Sequence, residues 1–206
     1  MIAEFVKQYV APILKRHGFK KRRLVWNRTR GALTHVVRLE LSRWNTRERQ
    51  NFRFNMGVWE RRVARIAWDR GPAAWISDFD CYPRYVGDEL IDGSEQFPGP
   101  AWTLTPDAAT RDIGSEVQRV LEEKLLPLLD HCDSIGDMLD LARLGLARRK
   151  AGWQHPGEKL EFAVLHHLNG EYDAARDILA DLDSGGEPDE WDEKIQEVKE
   201  KLAALE

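Results

Sequence analysis

Residues 33–41 read LTHVVRLEL, and residues 51–60 read NFRFNMGVWE. Apolar and polar side chains alternate in both stretches, so one set faces one side of an extended chain and the other set faces the opposite side. This period of two is typical of half-buried antiparallel strands. The hydrophilic stretch at residues 45–50 is predicted to be the hairpin loop between them. We therefore expect two neighbouring strands of an antiparallel meander.

The sequence before this hairpin predicts one more strand and an amphipathic helix. Residues 23–28 form the strand, with Trp26 on its apolar face, and a turn is expected at Arg30-Gly31. Further towards the amino terminus, apolar residues recur at the three- and four-residue spacing of a helix: Ile2, Phe5, Val6, Val10, Ile13 and Leu14. Pro12 is expected to bend this helix or to end its regular hydrogen bonding, and Gly18 to close it.

Beyond the hairpin, the sequence predicts more helix than strand. A short helix is expected at residues 61–68, although no residue before it is a usual helix cap. Thr105-Pro106-Asp107 is a strong helix start, and Ser134 and Asp137 have the spacing of a capping box. The remaining expected elements are short strands within residues 81–90 and 102–104, a loop at 92–100, and helices near 107–129, 135–149, 158–168, 172–182 and 191–205. The fold class is therefore α+β: an antiparallel meander sheet packed against an amino-terminal helix and later helices.

A boundary is predicted at residues 152–157, which read GWQHPG. We expect an α+β domain over residues 1–150 and an acidic helical appendage over residues 157–206. Residues 168–175, LNGEYDAA, resemble the turn region of a tetratricopeptide-type hairpin, but one copy is visible and stable arrays need about three. The appendage is therefore expected to be a helical hairpin docked on the domain.

Charge is distributed unevenly along the chain. Residues 1–70 contain 18 Lys and Arg against 5 Asp and Glu, whereas the remaining residues contain 13 against 30, for a net charge of −4. This asymmetry raises the odds of an anionic partner for the front half, but we favour mutual neutralisation of the two halves within one fold, because a free polybasic surface does not suit an overall pI near 5.9.

The sequence also indicates the compartment. No apolar run approaches the roughly 20 residues that a membrane span needs, and residues 1–7 lack the pattern of a signal peptide. We therefore expect a cytoplasmic protein without a membrane partner, in which Cys81 and Cys132 are reduced.

Residues that could catalyse a reaction or bind a metal lack the spacing that such sites need. His131-Cys132-Asp133 and His166-His167 contain no Cys-x-x-Cys or His-x-x-x-His pattern, so no metal site and no cofactor are expected. Cys81 follows Asp78-Phe79-Asp80, and nearby acids raise the pKa of a thiol instead of lowering it. His35 lies on the apolar face of its strand, where a histidine is usually a core residue with satisfied hydrogen bonds. We expect no catalytic residues.

The polar face of the predicted meander is the candidate binding surface. Arginines alternate there with polar groups and are framed by tryptophans, as in proteins that bind single-stranded nucleic acid. The same arginines could pair with an acidic protein, or the face could be solvated or covered by the acidic helices. The run Lys20-Lys21-Arg22-Arg23 could equally stabilise the carboxyl end of the first helix. The candidate residues are Arg38, Glu40, Ser42, Arg43, Trp44, Arg53 and Asn55.

Several short motifs resemble the bacterial domain-of-unknown-function 4304 family. They are Gly18-Phe19-Lys20-Lys21, Ser42-Arg43-Trp44-Asn45, Asn55-Met56-Gly57-Val58, and Cys81-Tyr82-Pro83-Arg84-Tyr85-Val86-Gly87 with Trp102. The resemblance covers roughly residues 1–145 and leaves the acidic tail outside, and both Tyr82-Pro83 and Glu40 depart from the family's usual residues. It implies a fold and carries no activity.

These observations favour a non-catalytic binding protein over an enzyme. The leading expectation is protein–protein binding, as an adaptor or immunity-like protein, because the charge is two-sided and eight tryptophans exceed what the core needs. One alternative is nucleic-acid binding through the basic sheet face. Another is an unrecognised hydrolase, which would need a pocket that gathers His35, Cys81 or Asp80.

Overall fold

The computed structural model describes residues 1–71, 73–85, 102–106, 110–148, 155–184 and 191–205. The strands are β1 (Lys20–Arg22), β2 (Val25–Arg30), β3 (Leu33–Leu41), β4 (Gln50–Glu60), β5 (Arg84–Tyr85) and β6 (Trp102–Leu104). Two helices contain a wider π-helical turn: α1 runs through Ile2–Phe5, Val6–Val10 (π) and Ala11–Arg16, and α3 through Thr110–Val120, Leu121–Leu125 (π) and Leu126–Asp130. The other helices are α2 (Arg61–Trp68), α4 (Ile135–Arg148), α5 (Pro156–Leu168), α6 (Tyr172–Ser184) and α7 (Asp192–Ala203).

The strands form one antiparallel sheet in the order β1–β2–β3–β4–β5. β3 and β4 pair from Leu33↔Glu60 to Leu41↔Phe52, so the hairpin predicted from the alternating sequence is confirmed. β6 pairs with β4 near its start and β5 pairs with it further along. The α+β class is therefore confirmed.

The two faces of the sheet are covered differently. The inner face packs against α1 and α3, with the ring centroids of Phe5 and Phe52 5.2 Å apart. The outer face carries a smaller apolar cluster: Val36, Trp59, Ala64, Ile76 and Cys81. The alternation in β3 and β4 thus sorts their side chains between a large core and a thinner outer layer.

Four features at helix ends and bends can be compared with the sequence predictions. Gly18 ends α1 with a φ of +81°, and Ser134 and Asp137 form the expected capping box, so both predictions are confirmed. Pro12 was expected to bend the first helix or to end its regular hydrogen bonding. The π-helical turn before Pro12 interrupts the regular hydrogen bonds and makes room for a ring that carries no N–H, so α1 continues through this residue. Glu60 caps α2 by accepting from the backbone N–H groups of Arg62 and Val63 at 2.6 and 2.9 Å, which its residue type did not indicate.

The start of the sheet also differs from the prediction. β2 begins at Val25, and the basic run before it forms an additional edge strand, β1, with the chain turning at Arg23, whose φ is +56°. Such a run shows no apolar–polar alternation, so the pattern could not reveal it. Other predictions lie wholly or partly outside the described residues: the strand beyond Tyr85, the loop at 92–100, the helix start at 105–107 and the boundary at 152–157.

The acidic tail, α5 to α7, docks on α2 around the indole of Trp68. Gly157 lies against this ring, where a Cβ atom would come within 2.8 Å of it, and the Trp191 ring centroid is 6.2 Å away. The Trp68 Nε1–H group donates to Glu161 at 2.6 Å. The predicted helical hairpin is confirmed, and its contacts with Trp68 hold it against the carboxyl end of α2.

The division of the chain into a domain and an appendage stays a prediction. Buried residues of the tail, such as Leu160 and Val198, belong to the same apolar cluster as the inner face of the sheet. Lys201 of α7 also pairs with Asp69 at the end of α2, at 2.6 Å. Within the described ranges, no helix combines the length and the apolar character needed to cross a bilayer.

The contact between Glu161 and Trp68 generates a prediction about pH. Burial and the nearby charge of Glu158 raise the pKa of Glu161 to about 8, against the lowering effect of the Trp68 hydrogen bond. The folded protein therefore keeps this carboxyl protonated while the unfolded chain ionises it near pH 4.5, so the free energy of unfolding falls as pH rises from 4.5 to 8. We expect Glu161→Gln to match the wild type near pH 4.5 and to exceed its stability by about 3 kcal/mol at pH 9. Urea unfolding at both pH values measures this, and a constant difference between the two proteins would contradict it.

Candidate functional site

The seven residues of the predicted binding surface fall into two groups. Arg38, Glu40, Arg53 and Asn55 lie on the outer face of β3 and β4. Ser42, Arg43 and Trp44 lie in the hairpin loop that follows β3. The groups differ in whether their charges are paired within the protein.

The outer-face group is organised around a carboxylate that the sequence analysis did not include. Asp78 is fully buried and accepts hydrogen bonds from Arg38 at 3.1 Å, from Asn55 at 3.1 Å and from Arg84 at 3.0 and 3.2 Å. Burial raises the pKa of Asp78, but the Arg38 hydrogen bond and the charges of Arg84 and Arg38 outweigh it and hold the pKa below its usual value. Asp78 is therefore an ionised anchor for arginines from two strands.

A second ion pair neutralises the rest of this face. Arg53 donates to Glu40 at 2.6 Å, and Asn55 donates to the same carboxylate oxygen at 3.2 Å. The Arg38 and Arg84 guanidinium groups also lie 4.6 and 4.5 Å from the ring centroid of Phe79. Because Asp78 and Glu40 already pair with these arginines, the outer face offers little free positive charge to a ligand.

The hairpin loop between β3 and β4 is held in one shape by its own polar groups. The side chain of Asn45 donates to the Asn51 carbonyl at 2.9 Å and accepts from the Asn51 N–H at 2.7 Å. The Thr46 hydroxyl accepts from the N–H groups of Glu48 and Arg49 at 3.3 and 3.1 Å. The Thr46 N–H in turn donates to the Arg49 carbonyl at 2.9 Å. The loop is therefore fixed by hydrogen bonds although most of its side chains are exposed.

Trp44 is the most exposed large apolar side chain among the described residues, with 75% of its surface accessible. The Arg43 guanidinium carbon lies 4.9 Å from the centroid of its ring, which is a cation–π contact. The backbone N–H of Trp44 donates to the Ser42 hydroxyl at 3.2 Å, which holds the backbone of Trp44 in the loop. Ser42, Arg43 and Trp44 are thus brought together as predicted, but at the end of the sheet and apart from the outer-face group.

The turn between β1 and β2 adds two arginines to the same end of the sheet. The Leu39 N–H donates to the Leu24 carbonyl at 2.9 Å, so the turn lies beside the last residues of β3, about one strand spacing of 4.8 Å away. We call the resulting surface the basic sheet end: Arg22, Arg23, Arg43, Arg47 and Arg49, with the indole of Trp44. All six side chains are exposed, and none of these arginines forms an ion pair with another residue in the described part of the chain.

The other candidate centres have structural roles. His35 is buried, with Nε2 2.7 Å from the Cys132 carbonyl and Nδ1 2.9 Å from Arg28, so the predicted core role is confirmed. Cys81 is buried on the outer face, and burial, with Asp78 and Asp80, raises the pKa of its thiol well above the usual value. The sheet therefore separates His35 from Cys81.

The other histidines that the sequence analysis considered also contact neighbouring side chains. His166 lies 2.8 Å from Glu171, and the His167 ring stacks edge-on against Tyr172. A groove of about 530 Å³ between α3 and α4 includes His131 and Cys132, but burial raises the pKa of Cys132 to about 12. Within the described residues, no group of three or more His, Cys, Asp or Glu side chains has an arrangement that could hold a metal ion.

Comparison with known proteins gives one positive result. A family model described as Domain of unknown function (DUF4304) matches residues 10–131, from within α1 to the end of α3. No curated protein and no solved structure matches the chain.

The burial of His35 generates a second prediction about pH. Burial, with the charges of Arg28 and Arg30, lowers the pKa of His35 to about 4, against the raising effect of the Cys132 carbonyl. The unfolded chain takes up this proton near pH 6.5 and the folded protein only near pH 4, so stability is lost as pH falls through this range. We expect the wild type to lose about 3 kcal/mol more than His35→Gln between pH 7.5 and pH 4, measured by urea unfolding. Parallel pH profiles would show that His35 does not titrate as proposed.

The two groups of the predicted surface should respond differently to mutation. Asp78→Asn removes the buried charge that Arg38 and Arg84 share, and we expect it to lower the free energy of unfolding by about 3 kcal/mol. Trp44→Ala removes an exposed side chain, and we expect a change below about 0.5 kcal/mol. Thermal and urea unfolding of both variants measure the contrast, and a strong destabilisation by Trp44→Ala would mean that this indole is part of the fold.

Proposed function

The chain belongs to the DUF4304 family, and on the basis of its basic sheet end we propose that it is a non-catalytic, cytoplasmic binding protein for an anionic macromolecular partner. One observation carries this proposal: five exposed arginines that form no ion pair within the described residues lie at the same end of the sheet as an exposed tryptophan, whose loop is already held in shape by hydrogen bonds.

Exposure of Trp44 supports binding more directly than charge alone. Arginine and tryptophan are enriched among the residues that dominate binding energy at interfaces. A loop that is already ordered loses little conformational freedom when a partner docks, so more of the contact energy appears as affinity. The hydrogen bonds of Asn45 and Thr46 supply that order here.

The charge distribution also supports an anionic partner at this end. The acidic tail docks on α2, which follows the last residue of the eleven-residue strand β4, whereas the loop with Trp44 precedes the first residue of this strand. The basic sheet end therefore carries a local positive potential in a protein whose net charge is −4. Such an arrangement orients an approaching anion towards the arginines.

Two partner classes fit this surface. An acidic protein corresponds to the adaptor or immunity-like role that the sequence suggests, and nucleic acid is the second candidate, favoured by the Arg43–Trp44 stack. The hydrolase alternative receives no support, because His35 faces the inner side of the sheet and Cys81 the outer side.

The proposal predicts the effect of reversing charge at the basic sheet end. We expect the double variant Arg43→Glu/Arg47→Glu to lose the partner that the tagged wild type captures from host lysate at low salt, because each change replaces attraction by repulsion. Splitting the lysate into nuclease-treated and untreated halves assigns the partner to protein or nucleic acid.

The matched control is Arg61→Glu/Arg65→Glu, which reverses two exposed arginines of α2 that have no ion pair in the described part of the chain. It changes the net charge by the same amount and should capture the partner as the wild type does. Equal loss in both variants would point to net charge alone, and retention in both would contradict the proposed surface.

A further inference from the structure

We infer that the partner held by the basic sheet end is a single-stranded nucleic acid, with a base stacked on the Trp44 indole and its phosphates on the surrounding arginines. This inference rests on the proposed function and names the partner class for the same surface. Three properties of the surface carry it: the geometry of the indole, the type and placement of the cations, and the scarcity of other apolar surface.

The indole has the geometry of a stacking platform. The Arg43 guanidinium lies over the ring at 4.9 Å, and 75% of the Trp44 surface is accessible. A planar base can stack on the accessible ring, and such stacking tolerates any base because every base has a π face. Bases within a duplex are already stacked and paired, so a loop of this shape favours an unpaired strand.

The cations surrounding the indole suit a phosphate backbone. All five are arginines, whose planar guanidinium groups can hold two phosphate oxygens at once. Arg22 ends β1, Arg23 lies in the turn after it, and Arg43, Arg47 and Arg49 belong to the neighbouring loop, so a strand bound at the indole would have cations from two adjacent segments within the same end of the sheet. Glu48 is the one acidic residue in the loop at residues 42–49.

The apolar surface at this end is small for a protein interface. Apart from Trp44, the exposed large apolar side chain at the described end of β3 is Leu41, with 38% of its surface accessible. Stable protein interfaces bury about 800 Å² on each partner around a core depleted in charge. Sites for single strands instead combine a basic surface with a few aromatic platforms, as this end does.

The test measures binding of a fluorescein-labelled fifteen-nucleotide thymidine oligomer to the full chain by fluorescence anisotropy. We expect wild-type affinity to fall with salt at a log–log slope of about −2 to −3, corresponding to three or four phosphate contacts. Trp44→Ala should weaken binding about 5- to 100-fold with little change in slope, whereas Trp44→Phe should stay within about 3-fold. Arg47→Ala should weaken binding and make the slope shallower by about 0.7, and Arg61→Ala should do neither.

Two competitors distinguish failure of this inference from failure of the proposed function. A fifteen-base-pair duplex and poly-L-glutamate should both compete less well than the unlabelled oligomer.

If polyglutamate competes equally and Trp44→Ala has no effect, the surface binds polyanions generally, so the inference is wrong and the proposed function stands. The inference is also wrong, and the proposed function again stands, if the oligomer fails to bind while Arg43→Glu/Arg47→Glu still loses a captured protein. If neither polyanion nor any lysate partner depends on these arginines, both proposals are wrong.

Discussion

The register between β3 and β4 is the constraint on which the other features depend. Because side chains alternate along a strand, a shift of one residue would turn Phe52 and Phe54 towards solvent and Arg53 and Asn55 into the core. The observed register avoids this over its whole length. It also fixes what lies at each end of the ladder: the loop with Trp44 at one end, and Glu60 with α2 at the other. The basic sheet end and the helix on which the acidic tail docks therefore connect to opposite ends of β4.

Burial explains why the arginines on the two faces of the sheet are paired. The side chain of Arg28 is 10% exposed and binds Asp130 at 2.6 Å, and the partly buried Arg38 and Arg53 bind Asp78 and Glu40. A charge withdrawn from water needs a partner, whereas an exposed charge keeps its hydration and does not. Neutralisation within the fold therefore describes the arginines of the sheet faces, and the expectation of an anionic partner concerns the basic sheet end. Asp130, Asp78 and Glu40 neutralise the arginines of the sheet faces, whereas the arginines of the basic sheet end have no ion pair in the described part of the chain.

The sequence could predict those parts of the structure whose cause is local. The hairpin and the helix cap at Ser134 follow from side chains within a few residues of each other. The role of Asp78 could not be predicted in this way, because its partners Arg38 and Asn55 are 40 and 23 residues away and meet it only after the sheet has formed. β1 was missed for a different reason: an exposed edge strand has no buried face, so it leaves no apolar period.

Because sequence patterns do not show contacts between distant residues, the binding surface predicted from the sequence differs from the basic sheet end. Alternation assigned Arg38, Arg53 and Arg43 to one polar surface, but it cannot show which charges a distant acid neutralises. The structure separates them by that criterion and leaves Arg43 as the member with no ion pair in the described residues.

Stability alone gives no reason for the composition of the basic sheet end. Like charges on neighbouring loops repel one another, and acids placed among them would relieve this, as Asp78 and Glu40 do on the outer face. An exposed indole likewise contributes little to a folded core. If the proposed anionic partner binds at this end, it would remove the repulsion and cover the indole, so both features would then favour the bound state over the free one.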